Sequence, residues 1–388
     1  MLCLALFAVA YTSNGVAPVL LYYTVDLRLP ASALAWFFTA YAIGTVMSFV
    51  FGGPLADQRG RKAVLVPVAW IEIVSVLVLL GARWWGAPGI LVGRFIQGIS
   101  SGAMYAVGTV WLRELAGERH AVSAATRATA SMAFGFGVGS LLSSALVQWV
   151  AAPKLLSLAV MFVLVSGALA IVLALPESLA TRRTTPVHLG LPRGTRLGFA
   201  CYLVPCGLLV YTFVMLAVIA FPMQIARAGF GQIYFIQGLS LMLIMAAATA
   251  ATTLVGRIGL TRAGWVAALC GVVGCALGFL AVRPDGWPWV IPASIVIGAG
   301  SGMAIAAGVM MSDRLAQPRE RGALLAMFYI LVYAGDCVPT VLSAAWGSHA
   351  MENPTTIVGL GAAGLAVAAM LALTPRLALR QAAASRAA

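Results

Sequence analysis

Charge is what this sequence has least of: Asp, Glu, Lys and Arg make up 9% of 388 residues, while 62% are hydrophobic. That imbalance overrules the soluble reading, two or three globular domains, that length alone suggests. Metal-ligand spacing is missing too, because His120, His188 and His349 are isolated from one another. The six cysteines, Cys3, Cys201, Cys206, Cys270, Cys275 and Cys337, all fall in apolar runs and match neither a zinc nor a disulfide pattern. They read as small apolar fillers. No G-x-x-x-x-G-K-[ST] loop occurs, which argues against an ATP-driven pump. No catalytic constellation stands out, so neither an enzyme nor a cofactor is expected. Little chain remains outside the apolar runs, which disfavours a receptor or scaffold with a sensing domain.

What is present is a series of apolar runs, each near the 20 or so residues that cross a bilayer as a helix. Twelve are read, at 2–25, 33–56, 63–82, 88–112, 121–148, 154–175, 198–222, 230–255, 262–282, 288–312, 321–345 and 355–375. The net charge of +13 follows from their topology. With the first run starting in the cytoplasm, seventeen of the 24 basic residues fall on the cytoplasmic side and five on the other. Arg94 and Arg127 lie inside or near run ends. Short loops rich in Lys and Arg stay inside, so both termini are expected in the cytoplasm and no nucleic-acid partner is implied. The first run has small residues at Ala8 and Ala10 but no basic segment before it, so it reads as a span rather than a signal peptide.

The chain divides on paper into a bundle over 1–176, a cytoplasmic linker over 177–197, a second bundle over 198–375 and a tail over 376–388. The linker is rich in Pro and Arg, suited to lie on headgroups. An internal repeat at an offset of 200 supports the division. Gly98, Ser101, Gly102, Ala106 and Gly108 recur as Gly298, Ser301, Gly302, Ala306 and Gly308. Arg119, Gly135, Ser143 and Ala145 recur as Arg319, Gly335, Ser343 and Ala345. A weaker echo of the 53–62 segment stands at Gly256, Gly259 and Arg262. Duplicated halves place a substrate site at their interface near the midplane.

The most specific stretch is Gly53-Pro54-Leu55-Ala56-Asp57-Gln58-Arg59-Gly60-Arg61-Lys62, four charges between two apolar runs. A charge at the bilayer centre costs about 3 kcal/mol or more, so this cluster belongs at the membrane surface. It resembles the loop signature of the major facilitator superfamily, G-x-L-a-D-r-x-G-r-k-x-x-l, with Leu65 closing the pattern and Gln58 departing from it. Arg94-Phe95-Ile96-Gln97-Gly98 resembles that family's second signature, R-x-x-q-G. Gly135 to Ser144 resembles a worn antiporter signature, with Ser140 where its proline belongs. The resemblance implies an all-α membrane protein of twelve helices in two pseudo-symmetric six-helix bundles, from the drug:proton antiporter-like branch. It implies that Asp57 faces the start of helix 11 near Arg321 and Gly322. Arg61 would then pair with Glu114, and Gly53, Gly60 and Lys62 complete the gating motif. Gly53 is expected to let helix 2 approach a neighbour.

Two acids stand deep inside spans, Glu72 and Asp336, and an intramembrane acid is a functional candidate by default. Asp336 follows Gly335 and precedes Pro339, where a weakened helix exposes backbone carbonyls to a cavity. Glu72 stands on a third helix expected to be peripheral. Arg94 joins them as a proton-coupling candidate, on the resemblance. Tyr11, Asn14, Tyr41, Tyr211, Gln237, Tyr329 and Tyr333 are candidates to line a cavity, since rings with polar tips suit amphiphilic ligands.

The leading expectation is a monomeric plasma-membrane carrier that exports hydrophobic or amphiphilic small molecules against protons. The alternatives are a proton symporter taking up a sugar, nucleoside or organic acid, and, from another class, a membrane receptor or scaffold. The expected partners are a small-molecule substrate, protons and the lipid bilayer.

Overall fold

The computed structural model describes residues 1–178, 195–281, 283, 285–316 and 321–375. A long apolar segment in lipid must satisfy its own backbone hydrogen bonds, and a helix does so locally. Among the described residues, twelve helices are long and apolar enough to cross a membrane. They are α1 Leu2–Asp26, α2 Ala31–Arg59, α3 Arg61–Leu80, α4 Ala82–Ala116, α5 Ala121–Trp149 and α6 Pro153–Ala174. The others are α7 Arg196–Arg227, α8 Ile233–Thr252, α9 Leu260–Ala281, α10 Trp287–Leu315, α11 Ala323–Trp346 and α12 Pro354–Leu373. The chain is an integral, multi-pass membrane protein.

Helix boundaries follow local chemistry. Asn353 caps α12 by accepting from the Thr355 backbone N–H at 3.0 Å, with Pro354 in the first turn. α4 bends at Gly86, whose φ of 61° and ψ of −153° no helix contains. α7 holds two π-helical turns, Phe199–Leu203 and Leu216–Ala220. α11 tightens to a 3-10 turn at Gly335–Cys337, the place of Asp336.

Internal packing divides the chain into two units, Met1–Val187 with Tyr234–Met242, and His188–Ile233 with Leu243–Ala388. The division falls within α8, whose first half groups with the first unit. Most of the expected linker, 179–194, and all of the tail, 376–388, lie outside the described residues. In the first unit α1 packs on α4, α5 and α6, α2 packs on α4, and α3 packs on α4 and α6. In the second, α9 packs on α10 and α12, and α7 packs on α10 and α11.

The repeat read from the sequence is a repeat of contacts. Gly98 and Gly102 let α4 meet α2 at the carbonyls of Tyr41 and Thr45; Gly298 and Gly302 let α10 meet α8 at those of Ile244 and Ala248. Small residues at such crossings bring backbones together where no hydrophobic force separates helix from lipid.

The charged segment 57–62, expected between the runs 33–56 and 63–82, is helix apart from Gly60. α2 continues through Arg59, and one residue, Gly60, makes the corner to α3 with φ 108°. A side chain is strained at that φ, so glycine there has a conformational reason. Gly259 turns the same corner before α9, with φ 82°.

Candidate functional site

The charged signature forms a compact polar knot at one end of the first unit. Arg61 Nη1 donates to Asp57 at 2.5 Å, one helical turn back, and Nη2 donates to Glu114 Oε1 at 2.8 Å. Its Nε also reaches both Glu114 oxygens at 3.2 Å. This fork geometry is what a guanidinium offers and an ammonium does not. Arg61 is buried, so the pair is not an ordinary solvated surface bridge. The pairing of Arg61 with Glu114 matches expectation; the side chains of Arg321 and Gly322 lie outside those described.

Three contacts of this knot were not foreseen. Glu177 accepts from the backbone N–H groups of Arg61 at 3.0 Å and Lys62 at 2.9 Å, so it caps α3. Lys62 Nζ donates in return to the carbonyls of Leu173 and Leu175 at 2.6 and 2.9 Å, at the end of α6. Ser178 Oγ donates to Glu114 Oε2 at 2.6 Å. A capping acid 115 positions away carries no local pattern that sequence reading can detect.

Gly53 does not fulfil the expected packing role. No described atom lies within 4 Å of where its Cβ would stand, whereas Gly52 faces Ala103 at 3.8 Å. One residue is about 100° of helix rotation, enough to move the contact from one glycine to its neighbour.

A second polar group lies at mid-helix in the same unit. Glu72, only 1% exposed, points inward from α3, while Trp70, Val74 and Leu77 face outward. The helix has one outer face, as a peripheral helix should, and the acid is on the other. Thr12 of α1 donates to Glu72 Oε1 at 2.7 Å, and Ser100 of α4 donates to Oε2. Ser101 stands 3.5 Å from the same oxygen. Ser13 Oγ links Ser101 at 3.0 Å and the Tyr105 hydroxyl at 2.6 Å.

Arg94 is 1% exposed and does not reach toward the lipid surface. Its Nη1 donates to Gln97, its Nε approaches the Phe37 carbonyl at 3.4 Å, and its guanidinium lies 4.2 Å from the Tyr41 ring centre. A cation over an aromatic face gains most where water is excluded. Ser100 Oγ joins the two groups into one centre, since it touches Glu72 Oε2 and lies 3.0 Å from the Gln97 carbonyl. Sequence reading named Glu72, Arg94 and Tyr41 but missed Thr12, Ser13, Gln97, Ser100, Ser101 and Tyr105. The available signal was Gln97, within the second signature, and the serine pair one turn further on.

The second unit fills the corresponding place with carbon. Phe213 of α7 lies in a notch at Gly271 of α9, and Gly300 of α10 faces Cys270 of α9. Asp336 is buried on α11, and Tyr211 and Tyr333 pair with ring centres 5.6 Å apart. Tyr329 is half-buried beside Phe328. In the first unit Tyr11 is buried, Asn14 is half-buried and Gln237 is fully buried. Among the described residues no group of His, Cys, Asp and Glu is arranged to hold a metal.

Comparison with known proteins adds a family, partial relatives and a fold. The description Major Facilitator Superfamily matches residues 2–339. Multidrug resistance protein MdtL of Klebsiella pneumoniae (strain 342) is 36% identical over 94 residues, 24% of this chain and 24% of that protein. MdtL of Salmonella paratyphi C (strain RKS4594) is 37% identical over 90 residues, 23% and 22% of the two chains. The chain thus matches about a quarter of the length of these curated relatives. Crystal structures share the fold at low identity. A POT family transporter in complex with a thioalcohol conjugated peptide has TM-score 0.77 at 12% identity, covering 97% of this chain and 96% of that one. The D-xylose-proton symporter has 0.71 at 17%, covering 96% of each.

Proposed function

The chain belongs to the major facilitator superfamily, and on that premise we propose that it exports hydrophobic or amphiphilic small molecules in exchange for protons. The observation that carries this reading is the buried centre of Arg94, Gln97 and Glu72 inside an apolar bundle. Such groups are costly in a span and mark ion and substrate paths. The similarity to MdtL, a multidrug resistance protein, supports export over uptake. On this reading the protein is a carrier and not an enzyme.

Alternating access follows the family's geometry, with the substrate held between the duplicated halves. Tyr11, Asn14, Tyr41, Tyr211, Gln237, Tyr329 and Tyr333 are proposed to line that path. Glu72 and Asp336 are the acids proposed to carry protons. Asp57, Gly60, Arg61, Lys62 and Glu114 are proposed to hold the cytoplasmic side closed. The protein works as a monomer in the plasma membrane, with both termini and the 177–197 segment in the cytoplasm. The excess of Lys and Arg on that side supports this orientation. Reporters fused after Arg196 and after Ala388 should both read inside; an outside reading at either position overturns it.

The test of function uses purified full-length protein in liposomes with ethidium, an amphiphilic cation, under an imposed pH gradient. Ethidium should move against the direction of proton flow and stop when the gradient is collapsed. Movement in the same direction as protons would favour the symport reading, and movement indifferent to the gradient would remove proton coupling.

A further inference from the structure

The two hydroxyls that hold Glu72 each have one proton and two acceptors. Thr12 Oγ1 lies 2.7 Å from Glu72 Oε1 and 2.8 Å from the Val9 carbonyl of its own helix. Ser100 Oγ touches Glu72 Oε2 and lies 3.0 Å from the Gln97 carbonyl. When both hydroxyls turn toward the carboxylate, an ionised Glu72 is fully accepted. When Thr12 turns back to Val9, its lone pair faces Oε1 and takes a hydrogen bond from a protonated Glu72. Both states of the acid are therefore satisfied by rotating one O–H bond, with no heavy atom displaced. A buried acid fixed for packing needs one state; this cradle serves two.

A path leads away from the cradle. Tyr105, Ser13 and Ser101 are joined at 2.6 and 3.0 Å, and in both contacts either oxygen serves as donor. Tyr105 is 8% exposed, while Ser13, Ser101 and Glu72 are at 2%, 0% and 1%, so the phenol is the least buried end of the path. The final separation, Ser101 to Glu72 Oε2, is 3.5 Å, beyond an ordinary O–H···O bond. Transfer requires these oxygens to close by about 0.7 Å.

We infer that Glu72, cradled by Thr12 and Ser100, is the acid that carries the coupled proton, loaded through Tyr105, Ser13 and Ser101. This rests on the proposed proton-coupled reading and chooses between its two candidate acids. In loading, hydronium gives a proton to the Tyr105 oxygen, and each hydroxyl passes its own proton onward. One O–H bond breaks at hydronium and one forms at Glu72, while every hydroxyl ends unchanged. The open last link keeps a loaded proton on Glu72 in this conformation. The groups that bear on Glu72 are Arg94 and Tyr105 from α4 and Tyr41 from α2. From α1 it meets the Thr12 hydroxyl, and α6 carries no ionisable side chain beyond Lys154.

Two readouts on full-length protein in lipid separate this inference from the function it builds on. Among the eleven acids, infrared difference spectra between acid and alkaline pH should contain one protonated-carboxyl component that Glu72→Gln removes and Asp336→Asn leaves. Ethidium flux should lose gradient-driven accumulation in Glu72→Gln but keep downhill exchange. Tyr105→Phe and Ser13→Ala should keep the infrared band and slow proton-driven flux on the order of a hundredfold, with downhill exchange unchanged. Carboxyl bands unchanged by Glu72→Gln, or loss of that same component in Asp336→Asn, overturn the assignment of the acid. Normal proton-driven flux in Tyr105→Phe and Ser13→Ala overturns the path, and these variants serve if Glu72→Gln does not fold. If wild-type protein moves ethidium without regard to pH, proton coupling fails while the infrared result still decides where the proton sits.

Discussion

Where α5 crosses α1, Gly135 lies against the Phe7 carbonyl and the Tyr11 amide; where α11 crosses α7, Gly335 lies against the Leu208 carbonyl and the Thr212 amide. The two bundles thus place their helices alike, residue for residue. Counting on from those contacts, Thr12 corresponds to Phe213, and counting from the Gly60 and Gly259 corners, Glu72 corresponds to Gly271. One copy of the repeat joins a hydroxyl to a carboxyl. The other drops an aromatic ring into the space a missing side chain leaves. Both solutions fill the same volume, which close packing demands. Helix placement is therefore set by small residues at crossings, and chemistry is free to differ at the filling positions.

The strongest test of shared placement is to spoil it in each copy. Gly98→Leu and Gly298→Leu should each cost more than about 4 kcal/mol, because the new side chain would stand on a neighbouring carbonyl. Both should reduce the yield of folded protein in detergent to a similar degree. If one tolerates leucine, the bundles are not packed alike.

Converting one filling into the other is the next largest effect. Thr12→Phe alone overpacks the first bundle, and Glu72→Gly alone leaves a cavity, at roughly 1–3 and 2–5 kcal/mol respectively. Thr12→Phe with Glu72→Gly should recover part of both losses, since coupled neighbours are non-additive. Thermal unfolding of the four proteins gives the cycle. Simple additivity would mean the two places are not equivalent.

The corner motif offers a contrast in charge. Arg61→Gln should lower stability by about 1–3 kcal/mol because Glu114 and Asp57 lose a buried partner. Arg262→Gln, at an exposed site of the echo in the second bundle, should stay within about 0.5 kcal/mol. Equal losses in urea-free thermal scans would erase the distinction. Smallest of all, Gly53→Ala should be neutral within about 0.5 kcal/mol, as nothing described stands near its Cβ; a large loss would restore the expected packing role.

The fold was legible because lipid imposes it. Runs of about 20 apolar residues have few alternatives to a spanning helix, and spacing alone locates them. The Arg61–Glu114 pair was legible through the family's motif. Glu72 was visible as an anomaly, yet its surroundings were not. Thr12, Ser13, Ser100 and Ser101 are small hydroxyl residues of the kind that scatter through membrane helices by the dozen. Only the crossing of α1, α3 and α4 brings Thr12, Ser100 and Ser101 to one carboxyl, with Ser13 behind Ser101. The corner at Gly60 read as a loop because four charges cluster there, although a helix end tolerates charge at the membrane surface as readily as a loop does.

Glu177 and Lys62 bind the start of α3 and the end of α6 to each other in both directions, acid to amides and ammonium to carbonyls. The charged corner therefore has no independent hinge. Arg61 and its two acids behave as a fixture on a beam: they travel only as far as the whole first bundle travels. Leverage follows from that stiffness, because a small tilt generated near the middle of the helices arrives at their ends enlarged rather than absorbed.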